Sequence, residues 1–128
     1  MYIKINPDSG LAPYLQIIRQ VKYLLACGAL KAGDQLPPVR DLAMQLRINP
    51  NTVARAYREL SYEKIITTSW GAGTFISKEV KKIAESEKKK IIAEALDQAI
   101  HQAASLGLTK EEITHLFTTR LKESKGGK

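Results

Sequence analysis

Hydrophobic side chains recur at helical spacing through the first part of the chain. Over residues 13–28 they form a single stripe, and Gly28 is suited to end that helix. A second helix is predicted over residues 38–46, and only residues 47–49 separate it from a third helix that opens at Pro50. Two helices joined by so short a turn are typical of a helix-turn-helix unit.

Beyond Leu60 the spacing changes from the helical period to that of β-strands. Residues 65–68 and 74–76 are predicted to form two strands joined by a glycine-containing loop, and Leu36 is expected to add a very short strand. Residues 2–5 alternate in polarity, which favours either a short strand or a loosely held arm. The pattern as a whole predicts a mainly α fold with a small β wing.

The third predicted helix has two unlike faces. Asn49 is a good N-cap, and Pro50 occupies the first helical position, where its missing N–H costs nothing. At about 100° per residue, one side gathers the apolar residues Val53, Ala56, Tyr57 and Leu60. The other side carries Asn51, Arg55, Arg58 and Tyr62, with Thr52 at its flank. Either this is an ordinary amphipathic surface helix, or its polar face enters the major groove of DNA, where Arg and Asn bond base edges in pairs.

The C-terminal part of the chain has a different character. Residues 78–90 form a charge-rich run, which is either a solvated helix face or linker, or a strip that contacts phosphate. Apolar residues then recur with the four-then-three spacing of a helix-pairing seam, namely Ile92, Leu96, Ala99, Ala103 and Leu106. Thr109 and Glu112 have the spacing of a capping box that opens a further helix. Two helices cannot bury both apolar stripes alone, so the segment either packs on its own N-terminal domain or, as we predict, pairs with a second copy.

Three separated motifs resemble one protein family. They are Leu36-Pro37-x-x-Arg40-x-Leu42-Ala43, Asn49-x-Asn51-Thr52-Val53-x-Arg55-Ala56-Tyr57-x-x-Leu60 and Gly71-x-Gly73-Thr74-Phe75. In order and spacing they are similar to the N-terminal winged-helix domain of GntR-type bacterial transcription regulators, and the short remainder resembles the YtrA-like branch. One departure is Pro38, where the family usually has Ser, so a side-chain cap is lost. The resemblance implies a winged helix-turn-helix domain over residues 1–77 and a helical dimerisation tail over residues 78–128.

The third helix supplies most of the candidate DNA contacts. Asn51, Thr52 and Arg55 lie in its first turns, where a recognition helix enters the groove, so we predict direct contact with bases. Arg58 lies further along and is expected to reach phosphate. Asn49 is also a candidate contact, although its oxygen is needed for the helix cap.

Further candidates come from the resemblance. It implies that Arg40 contacts DNA, whereas the residue could instead be solvated or paired with Asp34 or Asp41. It also implies that the loop of the wing approaches the minor groove or the backbone, through Gly71, Gly73 and Thr74. The glycines could instead serve only the turn. Trp70, at the tip of the hairpin, is either an exposed anchor or folded back on the core.

Composition agrees with a nucleic-acid partner. The net charge is +7, and both parts of the chain are basic: residues 1–77 hold nine Lys/Arg against five Asp/Glu, and residues 78–128 hold eleven against eight. Such an excess favours contact with a polyanion. The chain has no long apolar run and no signal-peptide pattern, so we expect a cytoplasmic protein that does not enter a membrane. Cys27, the one cysteine, excludes an intramolecular disulfide and is expected to be a packing residue.

The sequence gives no sign of catalysis. It lacks a phosphate-binding glycine loop, Cys/His metal spacing and a convincing nucleophile with its base, and His101 and His115 fall on different predicted helices. No cofactor is indicated, and the sequence leaves open whether a small-molecule effector exists. We therefore predict a sequence-specific transcription regulator that binds double-stranded DNA. The resemblance implies a repressor, and the apolar seam of the tail predicts a homodimer, whose two-fold symmetry would require an inverted-repeat operator. A non-specific architectural nucleic-acid-binding protein and a protein-interaction adaptor are the alternatives.

Overall fold

The computed structural model describes residues 1–124 and divides into two compact units, Met1–Lys89 and a second that begins at Lys90. The last four residues of the predicted tail, 125–128, lie outside the described residues. In chain order the elements are α1 (Pro13–Ala26), β1 (Gln35–Leu36), α2 (Val39–Leu46), α3 (Pro50–Tyr62), β2 (Ile66–Ser69), β3 (Gly73–Ile76), α4 (Val80–Ser105) and α5 (Lys110–Glu123). The prediction of a mainly helical fold with a small wing is confirmed.

One hydrophobic core joins the helices and the sheet of the first unit. Helices α1 and α2 both pack against α3, and β2 also contacts α3. The three strands form an antiparallel sheet in the order β1-β3-β2, with Leu36 opposite Thr74 and Ile66 opposite Ile76. The most completely buried side chains come from all of these elements: Ile17, Val21, Leu36, Leu42, Val53, Leu60, Ile65, Ile66 and Ile76. This shared core fixes α3 and the wing on one rigid support.

Local sequence signals set the ends of the helices. Gly28 follows α1 with a φ of 83°, a left-handed conformation that suits glycine. Helix α2 ends at Leu46, and its C-cap residue Arg47 also lies in the left-handed region with a φ of 56°, where the chain turns toward α3. Pro50 is the first residue of α3, and the side chain of Asn49 caps this helix. The short turn of the predicted helix-turn-helix is therefore present.

The N-terminal segment is neither of the two structures expected for residues 2–5. It forms no strand, yet it is not loosely held, because Ile3 is buried and two glutamines of α1 hold the backbone. The Gln20 side chain accepts from Lys4 N and donates to Lys4 O, while the Gln16 side chain does the same with Asn6. The helix wheel places Gln16 outside the apolar stripe of α1. Gln16 is nevertheless buried, because the N-terminal segment covers it.

Helix α4 begins earlier than the apolar seam predicts and runs without a break through the charged run. Val80 is buried and Ile83 packs against the core of the first unit, where Glu87 also lies 3.6 Å from Lys22 Nζ. The first compact unit therefore extends to Lys89, beyond the predicted boundary at residue 77. Helix α5 opens with the predicted capping box of Thr109 and Glu112. The functional division into a DNA-binding domain and a dimerisation tail stays a prediction.

Candidate nucleic-acid interface

Helix α3 presents the polar face that the wheel predicts. Its back is buried in the core, at Val53, Ala56, Tyr57 and Leu60. Asn51, Arg55 and Arg58 are exposed on the other side, and Thr52 is half-buried beside them. A helix held rigidly by its apolar back, with amide, hydroxyl and guanidinium groups in front, is able to present hydrogen-bond donors to base edges and phosphates.

Asn49 acts as the N-cap of this helix. Its Oδ1 accepts a hydrogen bond from the backbone N–H of Asn51 at 2.8 Å, so that oxygen is used within the chain. The Nδ2 group of the same amide is a donor and can only donate to an acceptor such as a phosphate oxygen. Any contact of Asn49 with DNA is therefore expected through its nitrogen.

In the part of the chain that the structure describes, three arginines of the helix-turn-helix carry no ion pair. Within residues 1–124, no carboxylate oxygen lies within 4.0 Å of a nitrogen of Arg40, Arg55 or Arg58. The pairing of Arg40 with Asp34 or Asp41, an alternative left open by the sequence, is thus not observed, and Asp34 instead accepts from the backbone of Lys31. Within the described residues these three guanidinium groups on α2 and α3 are therefore free of ion pairs, and their charges are available to phosphate oxygens.

A buried hydrogen bond fixes α3 relative to the start of α2. The Tyr57 hydroxyl donates to the carbonyl oxygen of Pro37 at 2.6 Å. Burial raises the pKa of the Tyr57 phenol, so this side chain remains a neutral donor at physiological pH. The bond helps to hold Arg40, which follows Pro37 by three residues, at a set distance from the α3 face.

The wing is a tight hairpin whose turn requires glycine. Ser69 pairs with Gly73 at its end, and the Ala72 N–H donates to the Ser69 carbonyl at 3.1 Å. Gly71 has a φ of 78° and Gly73 a φ of 118°, conformations that L side chains rarely adopt. A Cβ on Gly73 would lie 2.8 Å from Nε2 of Gln35. The glycines therefore serve the turn, and this role is compatible with a further role at DNA.

The side chains of the wing differ in exposure. Trp70, just before the two glycines, is fully exposed, so it does not fold back on the core. Thr74 is half-buried in β3, where it pairs with Thr68 on one side and Leu36 on the other. The tip of the hairpin therefore offers an aromatic ring to solvent, whereas Thr74 lies in the middle strand of the sheet.

Two residues of the interface are not indicated by the sequence pattern. Tyr14 in α1 lies under the guanidinium of Arg55, with Arg55 Cζ 3.9 Å from the ring centroid. Gln35 lies beside the wing and donates to the Ala72 carbonyl at 3.3 Å. Both contacts join residues about 40 positions apart in the sequence, and no local pattern could have indicated them. Helical spacing places Tyr14 only in the apolar stripe of α1.

Other candidate chemistry is sparse in the described part of the chain. Residues 1–124 contain no group of three or more His, Cys, Asp or Glu side chains placed to hold a metal ion. His101 and His115 are exposed on α4 and α5, respectively, and Cys27 is exposed after α1 rather than packed. The expectation that Cys27 is a packing residue is thus wrong, because Cys27 lies at the C-cap of α1, outside the buried stripe.

Across residues 1–124, none of the helices combines the length and the apolar character that crossing a membrane demands.

Comparisons with known proteins agree with this geometry. Residues 13–76 match the family described as bacterial regulatory proteins, gntR family. The chain is 42% identical over 126 residues to the HTH-type transcriptional repressor YtrA of Bacillus subtilis, and the alignment covers 98% of this chain and 97% of the relative.

Solved structures show the same fold. A GntR family transcriptional regulator from Listeria monocytogenes superimposes with a TM-score of 0.74 at 32% identity, covering 88% of this chain and 97% of that one. A transcriptional regulator from Oenococcus oeni gives a TM-score of 0.74 at 37% identity, covering 91% and 97%. The helix-turn-helix, the wing and the polar face of α3 thus occur in a chain that matches regulators over almost its whole length. The chain belongs to the gntR family of bacterial regulatory proteins and is a DNA-binding transcription regulator.

Proposed function

We propose that this chain is a transcriptional repressor that binds an inverted-repeat operator as a homodimer. The observation that carries the proposal is the exposed face of α3, where Asn51, Arg55 and Arg58 stand on a helix whose back is fully buried. Asn51, Thr52 and Arg55 in the first turns would read base edges in the major groove, and Arg58 would bind phosphate.

Two further elements would support α3 on the duplex. Arg40, near the start of α2, would bind the phosphate backbone, since no carboxylate of residues 1–124 competes for its guanidinium. The wing would approach the minor groove or the backbone with Gly71, Gly73 and Thr74, and Asn49 would donate to a phosphate from its amide nitrogen. Contacts of this kind position the protein, whereas the base contacts of α3 give specificity.

The tail would join two copies. Ile92, Leu96, Ile100 and Leu106 on α4 are exposed, as are Leu116, Phe117 and Leu121 on α5. Large apolar side chains left in water over two successive helices favour burial against a partner, and a second copy offers the same surface in return. In the predicted seam, Ala99 is exposed and Ala103 half-buried, and their small side chains would allow a close approach of helices.

The comparisons support repression, rather than activation, as the effect on transcription. The Bacillus subtilis relative is named a transcriptional repressor, and it aligns over nearly its whole length. Membership of a family of DNA-binding regulators confirms the prediction that the chain is not an enzyme. We propose that it acts in the cytoplasm, on a promoter to which RNA polymerase loses access when the dimer is bound.

Selection from a randomised DNA pool tests the proposal. We expect the full chain to enrich duplexes that contain two inverted half-sites, to protect such a site from nuclease cleavage, and to reduce transcription from a promoter that carries it. The specific duplex should bind at least about 10³-fold more tightly than a scrambled duplex at physiological salt. Enrichment of single, unpaired half-sites would contradict the dimeric operator.

The same selection distinguishes a sequence-specific regulator from a non-specific architectural DNA-binding protein. The excess of Lys and Arg over Asp and Glu in both parts of the chain is the observation that favours this alternative. A non-specific binder would enrich no sequence, and its affinity would fall equally steeply with salt on every duplex. That result would refute sequence-specific regulation. An interaction adaptor would protect no DNA at all.

A further inference from the structure

A contact between α1 and α3 bears directly on the proposed reading residue. Tyr14 is the second residue of α1, is half-buried, and packs against the hydrophobic core of the first unit. Arg55 is the sixth residue of α3 and reaches across so that its Cζ lies 3.9 Å from the centroid of the Tyr14 ring. The guanidinium therefore lies over the face of an aromatic ring that is itself fixed by the core.

The contact leaves the donors of the guanidinium unused. Within residues 1–124 the Arg55 side chain makes neither an ion pair nor a hydrogen bond. A ring attracts a guanidinium through the face of the cation and requires none of its five N–H groups. Tyr14 thus restricts the rotamers of a long flexible side chain while all N–H groups remain available to an incoming acceptor.

An ion pair in the same place would act differently. A carboxylate would hold Arg55 equally firmly, but DNA binding would then have to break charge-assisted hydrogen bonds before new ones could form. Stacking on an aromatic face avoids this loss, and it also removes conformational freedom before binding. Fewer rotamers then have to be lost when the guanidinium meets two acceptors on one base.

We propose that Tyr14 is a positioning residue for DNA reading: its ring orients Arg55, so that base selectivity at one operator position depends on a side chain outside the recognition helix. The proposal rests on the proposed function, in which Arg55 contacts a base. Tyr14 acts through Arg55 and requires no contact of its own hydroxyl with DNA.

The test uses the full chain and the duplex that the wild-type protein enriches from a randomised pool. Tyr14→Leu removes the ring but keeps an apolar side chain against the core, and Tyr14→Phe keeps the ring without the hydroxyl. Each variant is measured alone and combined with Arg55→Ala, on the enriched duplex and on duplexes with single base changes, over a range of salt. Thermal unfolding is recorded for every variant, so that a loss of fold is recognised.

We expect Tyr14→Leu to weaken binding to the enriched duplex about two- to fivefold, as is typical of an exposed cation–π contact. The variant should lose selectivity at the same base position as Arg55→Ala, with an unchanged salt slope because no charge is altered. Tyr14→Phe should behave like wild type. Adding Tyr14→Leu to Arg55→Ala should cause no further loss, since the two residues act as one unit.

Three outcomes would overturn the inference. If Tyr14→Phe is as weak as Tyr14→Leu, the hydroxyl rather than the ring is needed. If the losses of Tyr14→Leu and Arg55→Ala are independent, Tyr14 does not act through Arg55, and if Tyr14→Leu binds more tightly, the ring holds Arg55 away from DNA. A wild-type chain that enriches no sequence would instead refute the proposed function, which distinguishes the two failures.

Discussion

Two arginines on α3 lie three positions apart and have different surroundings. Arg55 lies over the ring of Tyr14, whereas Arg58 is exposed further along the helix and has no carboxylate within 4.0 Å in the described chain. A side chain with a defined orientation suits base reading, which depends on geometry. A free cation suits phosphate binding, which depends mainly on charge.

The first prediction follows from this difference. Arg55→Ala should weaken operator binding by about 1–3 kcal/mol and relax selectivity at one base position, because the proposed bidentate base contact would be lost. Arg58→Ala should weaken binding by a similar factor on every sequence and reduce the salt slope by about one. Titrations on specific and scrambled duplexes at several salt concentrations measure both effects. Equal losses on the two duplexes for Arg55→Ala would contradict its assignment.

The second prediction concerns the hydrogen bond from Tyr57 to Pro37. Tyr57→Phe should lower the free energy of unfolding by about 0.5–1.5 kcal/mol, because the hydrogen bond is lost and a phenylalanine ring has no donor for the Pro37 carbonyl. The exposed Tyr62 is the matched control, since Tyr62→Phe removes a hydroxyl that has no partner within residues 1–124. Urea unfolding near pH 7 measures the free energy of unfolding of both variants. Similar losses at the two sites would refute the prediction.

The same bond predicts a dependence on pH. Burial raises the pKa of Tyr57 in the folded protein. The stability contributed by the neutral phenol is therefore fully present below the unfolded pKa of about 10 and is lost as the pH rises beyond it, when the unfolded chain ionises. The advantage of wild type over Tyr57→Phe should therefore stay constant up to about pH 9 and shrink as the pH rises above about 10. A stability difference between wild type and Tyr57→Phe that grows with pH would contradict the prediction.

At the scale of elements, the wing combines a turn that requires glycine with an exposed tip. The turn between β2 and β3 places Gly71 and Gly73 at positive φ, and the Gln35 side chain fills the space beside Gly73. Gly73 lies well outside the small left-handed region at a φ of 118°, whereas Gly71 at 78° lies close to it. The two glycines are therefore not equivalent.

The third prediction tests this inequality. Gly73→Ala should lower the free energy of unfolding by about 1–3 kcal/mol, the cost of a backbone conformation that is nearly restricted to glycine. Gly71→Asn should have a much smaller effect, because asparagine tolerates the left-handed region and open space surrounds this position. Thermal unfolding compares the two variants.

Gln35→Ala provides a further control. It removes the side chain that a new Cβ would meet, yet it should not restore the stability of Gly73→Ala, since the cost lies in the backbone. Full rescue would show that crowding against Gln35 is the cause instead.

The fourth prediction uses Trp70, the one tryptophan in the chain, as a reporter of the wing. Because its side chain is fully exposed, the free protein should show the red-shifted emission and the strong acrylamide quenching of a solvated indole. If the wing contacts DNA, the enriched duplex should reduce the quenching constant, and a scrambled duplex at the same concentration should not. Equal quenching with and without the enriched duplex would show that the tip stays away from DNA.

At the scale of the whole molecule, the described chain leaves a large apolar surface on its second unit. Leu96 is 38% exposed and Ile92 is 59% exposed on α4, and Leu116, Phe117 and Leu121 are each at least half exposed on α5. A single winged helix contacts few base pairs, so affinity and specificity normally require two copies. Both observations agree with assembly through the tail.

The fifth prediction is that the full chain is a dimer at micromolar concentration and that Leu96→Glu makes it monomeric. A carboxylate buried in an apolar interface without a partner is strongly unfavourable. The matched control is Gln98→Glu, which adds the same charge at an exposed position that points away from the predicted seam. The Leu96→Glu variant should stay folded and bind a half-site weakly. Sedimentation decides: a Leu96→Glu variant that remains dimeric with full operator affinity excludes the seam.

The sequence alone determined the identity and approximate bounds of most elements, though not the N-terminal segment or the start of α4, because the interactions responsible act within a few residues. Asn49 and Pro50 start α3, Gly28 follows the end of α1, and Thr109 with Glu112 opens α5, all as their local chemistry requires. The two faces of α3 also follow from residue spacing. The candidate contacts on this helix could therefore be predicted from spacing alone, although their roles at DNA remain predictions.

Only the tertiary structure decided how those elements meet. It placed Tyr14 under Arg55, buried Gln16 against the N-terminal arm, turned Trp70 to solvent and extended the first compact unit to Lys89. Each of these features depends on side chains from elements that lie far apart in the sequence, or on whether a neighbouring element covers a given face. Periodicity shows which face of a helix is apolar, but the partner that covers this face is fixed by packing of the whole core.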